Sequence, residues 1–311
     1  MKKSLIAFAV MGIALASSAA RADSYARAYN EVTNLVVTAA PGVTIGTTAD
    51  NSFASACLPN GNCVSQGGAG FTDAPAAQLG WPGYVNNSYA SNKGAATSFA
   101  VADASIDAQQ LTGAPSTRAR GFAEAQLVGN GTATAVSGNA SATLLTTTLT
   151  AGQGATLSFR FDANPFIQSL LSSNAGVPSQ AAAAIGLNFN LIDSTGNVVF
   201  NWAPDGIVGG GIVGGTETLD AYTLNTSLTA LSGNPGPLTF SPTSCAAGSV
   251  TGCFAANTNA LAAGVYTLNL SMTQSVGVQS AVTAVPEPSA YLMMLGGMGL
   301  LGAIARRKSR S

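Results

Sequence analysis

Apolar residues recur at every second position on both sides of a short polar segment, residues 193–197. The alternating residues are Ile185, Leu187, Phe189 and Leu191 before the segment, and Val198, Phe200 and Trp202 after it. A period of two places one set of side chains on one face of a β-strand. The Asp-Ser-Thr-Gly-Asn segment supplies turn-forming residues. The pattern therefore predicts a β-hairpin with one buried face and places Trp202 in the core.

Further alternating runs predict strands over residues 97–101, 157–161 and 266–272, and a β-branched run predicts an opening strand over residues 32–38. Gly, Ser, Thr, Asn and Ala dominate the sequence around them, a composition that suits short strands joined by turns. Residues 23–284 are long for one domain but within the range of a single β-sandwich. We predict an all-β fold for this ectodomain, an antiparallel β-sandwich with a jelly-roll-like layout.

Two segments of this region differ from the strands above. Residues 121–149 alternate Ala with Gln, Thr and Ser, so we expect them to pack weakly. Asn164 and Pro165 precede an apolar stretch, residues 166–171, as an N-cap and a first-turn proline would precede a helix. We therefore predict one short helix there.

The first 22 residues have the three parts of a secretory signal peptide. Lys2 and Lys3 supply positive charge, and an apolar stretch follows over residues 5–16. Ala20 and Ala22 are the small residues of a cleavage site. The pattern predicts an N-terminal signal helix, export by the Sec machinery and cleavage after Ala22.

Residues 285–311 also have three parts. The motif Pro286, Glu287 and Pro288 is followed by an apolar stretch, 289–305, and then by a basic tail, 306–310, with Arg306, Arg307, Lys308 and Arg310. At about 1.5 Å per residue, the apolar stretch gives a helix of about 26 Å, slightly shorter than a hydrocarbon core of about 30 Å. The pattern predicts a C-terminal transmembrane helix whose basic tail stays on the cytoplasmic side.

These three parts resemble the PEP-CTERM sorting signal of Gram-negative bacterial surface proteins. The resemblance implies anchoring in the inner membrane and recognition of Pro286-Glu287-Pro288 by exosortase, a membrane transpeptidase-like enzyme. Release to the cell surface or extracellular space would follow, in a setting of exopolysaccharide and biofilm. The resemblance concerns sorting alone, because the bodies of such proteins are diverse. An ordinary C-terminal membrane anchor is the alternative.

The charge distribution argues against a nucleic-acid partner. Seven of the 12 Lys and Arg residues lie before residue 22 or after residue 305, whereas all 13 Asp and Glu residues lie between. The middle of the chain is therefore acidic, and its few basic residues are scattered. Phosphate contacts need clustered Lys and Arg.

The four cysteines are spaced for two local disulfides in an exported protein. Five residues separate Cys57 from Cys63, and seven separate Cys245 from Cys253. Export brings the chain into an oxidising compartment, and these gaps differ from those of zinc ligands. Free or cross-paired thiols are the alternative.

Calcium is the one cofactor for which the sequence offers weak candidates. Asp103 and Asp107 lie close together, and Asp193 begins an oxygen-rich turn of the kind that hard cations prefer. An ordinary Asx-type turn is the alternative. Because no repeated calcium motif is present, we expect no metal and no other cofactor.

Aromatic residues and a glycine repeat are candidate binding features. Trp81, Tyr84 and Tyr89 would stack on sugar rings if they were exposed. Residues 206–215 repeat Gly-Ile-Val-Gly-Gly, and they include the glycine spacing of a dinucleotide-binding loop. Such a site needs an acidic residue about 20 positions later, and none occurs from 221 to 286. We predict a surface loop between strands.

The absence of His favours a role other than catalysis. A Ser-His-Asp or Cys-His arrangement cannot form without it, and Lys93 is the only lysine between residues 23 and 305. No spacing singles out a carboxylate pair of the kind that cleaves glycosides. We expect a non-enzymatic structural or adhesive protein. A carbohydrate-binding, lectin-like module is the alternative, and a secreted hydrolase is a more remote one.

Overall fold

The computed structural model describes residues 23–59, 61–80, 83–107, 111, 117–129, 131–138, 145–172, 177–243 and 253–281. Every regular element in these ranges is a β-strand, so the all-β prediction is confirmed for them. They also contain no helix with the length and apolar character needed to cross a membrane. The predicted signal helix, 1–22, and transmembrane helix, 289–305, lie outside the described residues.

The described residues form 18 strands. In chain order they are β1 (Asp23–Ala39), β2 (Val43–Leu58), β3 (Asn62–Ala69), β4 (Asp73–Leu79), β5 (Phe99–Asp107), β6 (Thr117–Val128), β7 (Gly131–Gly138), β8 (Leu145–Ala151), β9 (Leu157–Ala163), β10 (Phe166–Leu171), β11 (Gln180–Asp193), β12 (Val198–Trp202), β13 (Ile212–Val213), β14 (Gly215–Asp220), β15 (Thr226–Leu231), β16 (Leu238–Phe240), β17 (Phe254–Thr258) and β18 (Gly264–Ser280).

The strands form two nine-stranded antiparallel sheets that pack face to face. Sheet A has the order β14-β17-β9-β1-β6-β5-β4, with β10 beside β1 and β16 beside β10. Sheet B has the order β13-β12-β11-β18-β7-β2-β3, with β15 beside β11 and β8 beside both β18 and β2. A jelly roll has eight strands, so this layout is larger and differs from the expected one.

Register shifts interrupt the pairing of two long strands, β1 and β2. On one edge, β1 pairs with β10 up to Tyr29 and with β9 from Val32 onward. The register of β1 shifts between Val32 and Leu35, where Asn34 has a φ of 55°. A similar shift in β2 lies between Ile45 and Thr48. Bulges of this kind bend a strand and increase its twist.

One half of the core is aromatic and lies between the two sheets. Its largest fully buried side chains are Phe159, Phe161, Phe189, Phe200, Trp202 and Phe254. The rings of Phe159 and Phe200 stack with centroids 5.1 Å apart, and those of Phe161 and Phe254 stack at 4.7 Å. Trp202 is 0% exposed, which confirms the core position that the alternation predicts.

The other half of the core is built mainly from alanine. It includes Ala26, Ala28, Ala100, Ala102, Ala123, Ala125, Ala181 and Ala183. The expectation that residues 121–149 pack weakly is wrong for β6, because both Ala123 and the neighbouring Glu124 are fully buried. Short side chains let sheet B approach the inner face of this strand closely, and a loop covers its outer face.

The predicted short helix over residues 166–171 is instead strand β10. Its side chains alternate between partly exposed and buried, and the strand pairs with β1 on one side and β16 on the other. The Asn164 N–H donates a hydrogen bond to the Glu31 carbonyl rather than starting a helix. Tertiary strand pairing therefore outweighs the local helix-start signal.

Candidate functional site

Residues 83–98 form a loop, here called the strap, that covers the outer face of sheet A over β1, β5 and β6. Tyr84 stacks on Phe122 with ring centroids 6.0 Å apart, and Tyr89 meets Phe122 edge-on at 6.3 Å. Tyr84 is only 7% exposed, so the prediction that it could stack on sugars is wrong, because its ring packs against the sheet. Trp81 lies outside the described residues.

The strap is held by Asp103, which the sequence offers as a calcium ligand. Its carboxylate accepts hydrogen bonds from the Tyr84 hydroxyl at 2.6 Å and from the Asn87 N–H at 2.7 Å. Burial raises the pKa of Asp103 above its usual value. The side chain is 0% exposed, so Asp103 anchors the strap in a sealed position. Asp107 ends β5, and the described structure does not include its side chain.

Glu124 is a second buried anchor of the strap, and no motif or spacing in the sequence singles it out. Its carboxylate accepts hydrogen bonds from the Tyr25 hydroxyl, from the Ser91 hydroxyl at 2.6 Å and from the Asn92 N–H at 3.2 Å. Burial raises its pKa, an effect that these bonds and the charge of Arg27 partly offset. Glu124 is 0% exposed, so the strap shields it from solvent.

Asp103 and Glu124 are diagonal neighbours on one face of sheet A. Asp103 is paired with Phe122 and Glu124 with Val101 across β5 and β6. The arrangement fixes the strap to the sheet, but a substrate could reach neither carboxyl group while the strap is in place. Residues 123–126 read Ala-Glu-Ala-Gln, the alternation of a strand with one exposed face. Only the structure shows that both faces of β6 are covered.

The first Gly-Ile-Val-Gly-Gly repeat lies on the surface, as predicted, with Ile207 66% exposed. The second repeat contributes strand β13 and the first residue of β14. Glu217 holds this region by accepting hydrogen bonds from the Trp202 indole N–H and from the Gly209 N–H at 2.8 Å. Burial raises the pKa of Glu217. The repeat is therefore an ordered segment that connects sheet B to sheet A.

A second carboxylate, Asp220, fixes the start of the same loop. It accepts hydrogen bonds from the Asp205 N–H at 2.9 Å and from the Gly206 N–H at 2.7 Å. Burial raises its pKa, and the charge of Asp205 acts in the same direction. These contacts are structural, because the Asp220 side chain holds two backbone N–H groups of the loop in place.

Asp193, the third calcium candidate, forms an Asx-type turn. It accepts hydrogen bonds from the Thr195 hydroxyl at 2.7 Å and from the Thr195 and Asn197 N–H groups at 2.9 Å. The pKa of Asp193 is lowered to about 2, chiefly by the Thr195 hydroxyl. Across the described residues, no group of three or more His, Cys, Asp or Glu side chains is arranged to hold a metal ion.

The disulfide predicted between Cys57 and Cys63 is present. The two residues face each other in the β2–β3 hairpin, so the bridge ties neighbouring strands together near their turn. Cys253 is also disulfide-bonded. Cys245 lies outside the described residues, so its pairing with Cys253 stays a prediction.

Both ends of the described body lie at the same end of the molecule. Asp23 at the start of β1 is paired with Val128 at the end of β6. Ser280 at the end of β18 is paired with Gly131 at the start of β7. Because Val128 and Gly131 are only three positions apart in the chain, Asp23 and Ser280 lie close together.

Comparison with known proteins identifies one sequence motif, and it follows the described body in the sequence. No curated protein and no solved structure matches the chain significantly. Residues 284–310 match the PEP-CTERM protein-sorting motif. The match includes Pro286, Glu287 and Pro288, which lie outside the described residues, and it confirms the resemblance found in the sequence. The chain is therefore a PEP-CTERM protein by its C-terminal sorting motif.

Proposed function

We propose that this chain is an exported, non-enzymatic protein of the cell surface or extracellular matrix that exosortase processes at its C-terminus. The observation that carries the proposal is the sorting motif at residues 284–310. In this proposal a signal helix, 1–22, directs export, and a transmembrane helix, 289–305, holds the intermediate in the inner membrane. The body then serves a structural or adhesive role in exopolysaccharide or biofilm material.

The arrangement of the body supports this topology. The chain enters β1 and leaves β18 at the same end of the molecule. A membrane-held segment after residue 281 could therefore anchor the body without crossing over either sheet. The sheets form a shared core, so removal of the tail would leave their packing contacts unchanged.

The sealed positions of Asp103 and Glu124 support a non-enzymatic body. Both carboxyl groups are fully buried and serve as hydrogen-bond acceptors for the strap. Paired carboxylates that cleave glycosides must contact the bond that breaks. A hydrolase would therefore need carboxylates placed differently from these two.

The test of sorting is the intact mass of the protein recovered from a host with exosortase and from the same host without it. We expect loss of the C-terminal segment only when exosortase is present. The double variant Pro286→Ala, Glu287→Ala should keep its tail in both hosts. Pro75→Ala is a matched control, because Pro75 is an exposed proline in β4, and it should be processed normally.

Two outcomes would contradict the proposal. One is tail removal in the host without exosortase, which would indicate an unrelated protease. The other is normal processing of the double variant, which would show that the motif is not what the enzyme recognises.

A further inference from the structure

The outer face of sheet B carries no charge on its three central strands. Alternating burial along β8, β11 and β18 shows which side chains point away from the core. They are Thr146, Thr148, Thr150, Gln180, Ala182, Ala184, Gly186, Asn188, Asn190, Ile192, Val265, Thr267, Asn269, Ser271, Thr273, Ser275, Gly277 and Gln279. Apart from Ile192 and Val265 near one end, this surface consists of small, hydroxyl and amide side chains.

A row of polar side chains crosses four strands of this surface. Asn201 is directly opposite Asn190, Asn190 is opposite Asn269, and Asn269 is opposite Thr146. We call the surface around this row the amide face. Neighbouring strands are about 4.8 Å apart, which is about the length of one sugar ring.

Hydrogen bonds within the row hold its side chains in place. The Asn269 amide donates to the Asn190 oxygen at 3.0 Å, and the Thr146 hydroxyl donates to the Asn269 oxygen at 3.2 Å. Asn188 lies two residues before Asn190 on the same face of β11, and its side-chain amide donates a hydrogen bond to the Asn201 oxygen at 2.9 Å. Each carboxamide has two N–H donors and two acceptor lone pairs, so a side chain that makes these bonds retains capacity to bind a ligand. Ordering the row in advance lowers the cost of binding.

The rest of the body shows that this neutrality is specific to the amide face. The outer face of sheet A carries Arg27, Glu31, Arg118 and Arg120, and Glu31 forms an ion pair with Arg118. The middle of the chain as a whole is acidic. Uncharged residues are therefore concentrated on the outer face of sheet B.

The chemistry of the amide face excludes most classes of partner. Nucleic acids and anionic lipids need clustered Lys and Arg. Stable protein interfaces are centred on buried aromatic, Met or Arg side chains, and the central strands present none outward. A partner whose own surface is a dense array of neutral hydroxyl groups matches the rows of Asn, Thr and Ser.

We propose that the amide face binds a neutral polysaccharide, with the chain lying along the row from Asn201 to Thr146. Sugar hydroxyl groups exchange hydrogen bonds with Asn190 and Asn269 at the centre of the row. This inference deepens the proposed function by naming a partner, and its role at the cell exterior rests on that proposal.

The test uses the full chain, exported in a bacterial host and purified in a detergent without a sugar headgroup. Affinity electrophoresis in gels that contain hydroxyethyl cellulose, dextran or mannan measures binding to neutral polymers, and alginate is the acidic comparison. We expect retardation by at least one neutral polymer and none by alginate. Since charge is not involved, raising the salt concentration should not reduce the retardation.

The variant Asn190→Leu, Asn269→Leu removes both central hydrogen-bonding groups and keeps the number of heavy side-chain atoms at each position. We expect it to weaken binding about tenfold or more. Asn257→Leu is the matched control, because Asn257 is a half-buried strand residue that alternates with core residues in sheet A, and it should bind as the unchanged protein does. Circular dichroism and thermal unfolding show whether each variant is folded. A misfolded double variant would be replaced by Asn269→Ser.

Three results would overturn the inference. They are no retardation by any neutral polymer, equal retardation of the unchanged and double-variant proteins, and self-association by the amide face in sedimentation experiments. Each can occur while the tail is still processed by exosortase, so they are distinguishable from failure of the proposed function.

Discussion

Gly121 in β6 is a residue whose missing side chain determines how closely the two sheets approach. A Cβ atom at this position would overlap the carboxamide oxygen of Gln274 in β18 and lie 2.5 Å from its Cδ. Gln274 is fully buried, so its side chain has no solvent-filled space into which it could move. We expect Gly121→Ala to lower the free energy of unfolding by about 1–3 kcal/mol, the usual cost of overpacking a core. Urea denaturation measures this change.

Gly277→Ala is the control for this substitution, because the nearest atom to a Cβ at Gly277 is a Thr134 methyl at 4.0 Å. It should change stability by less than about 1 kcal/mol. Adding Gln274→Ala to Gly121→Ala should recover part of the loss, since the two sites are in contact. Equal effects of the two glycine substitutions would show that the close contact does not limit packing.

The strap is an element whose attachment depends on buried carboxyl groups, so stability should depend on pH. Burial raises the pKa of Glu124 and of Asp103. Between the unfolded and the native pKa, the native state holds protons that the unfolded chain has released, so the free energy of unfolding falls as pH rises. We expect the protein to be more stable at pH 5 than at pH 7. Urea denaturation at both pH values measures the difference.

Glu124→Gln keeps the size of the side chain and removes its titration. The variant should show a smaller stability difference between pH 5 and pH 7, because Glu124 contributes about 1.4 kcal/mol for each pH unit of this window that lies below its native pKa. Asp193→Asn should leave the difference unchanged, because the pKa of Asp193 is about 2 and lies below this window. A stability that rises from pH 5 to pH 7 would contradict the argument.

Individual strands differ in how well their sequence predicts them. The β11–β12 hairpin is visible in the alternation from Ile185 to Trp202, since one of its faces is buried and the other is not. Strand β10 was predicted as a helix, because Asn164 and Pro165 give a local signal that pairing with β1 overrides. The burial of Glu124 could not be predicted, because it depends on a strap from another part of the chain. The row from Asn201 to Thr146 depends on register, which separate strand segments do not reveal.

At the scale of the whole molecule, the two sheets share one interior and should unfold together. The aromatic core joins Phe159 of sheet A to Phe189 and Phe200 of sheet B. We expect a single cooperative transition in urea for the body, residues 23–281. In the variant Trp81→Phe, Trp202 is the only tryptophan. Its fluorescence should then change at the same midpoint as the far-UV circular dichroism. Two separate midpoints would show that the sheets unfold independently.

The shared position of the chain ends has a consequence for how the body would stand on a membrane. Strand β18 has 17 residues, and at about 3.3 Å per residue it is about 55 Å long. If the chain were anchored after Ala281, the body would extend up to about 55 Å from the membrane surface. The row from Asn201 to Thr146 runs across the strands, so a polymer bound along it would lie parallel to the bilayer. The same polymer could then bind several neighbouring protein molecules. Many weak contacts along one polymer would together attach it strongly to the membrane surface.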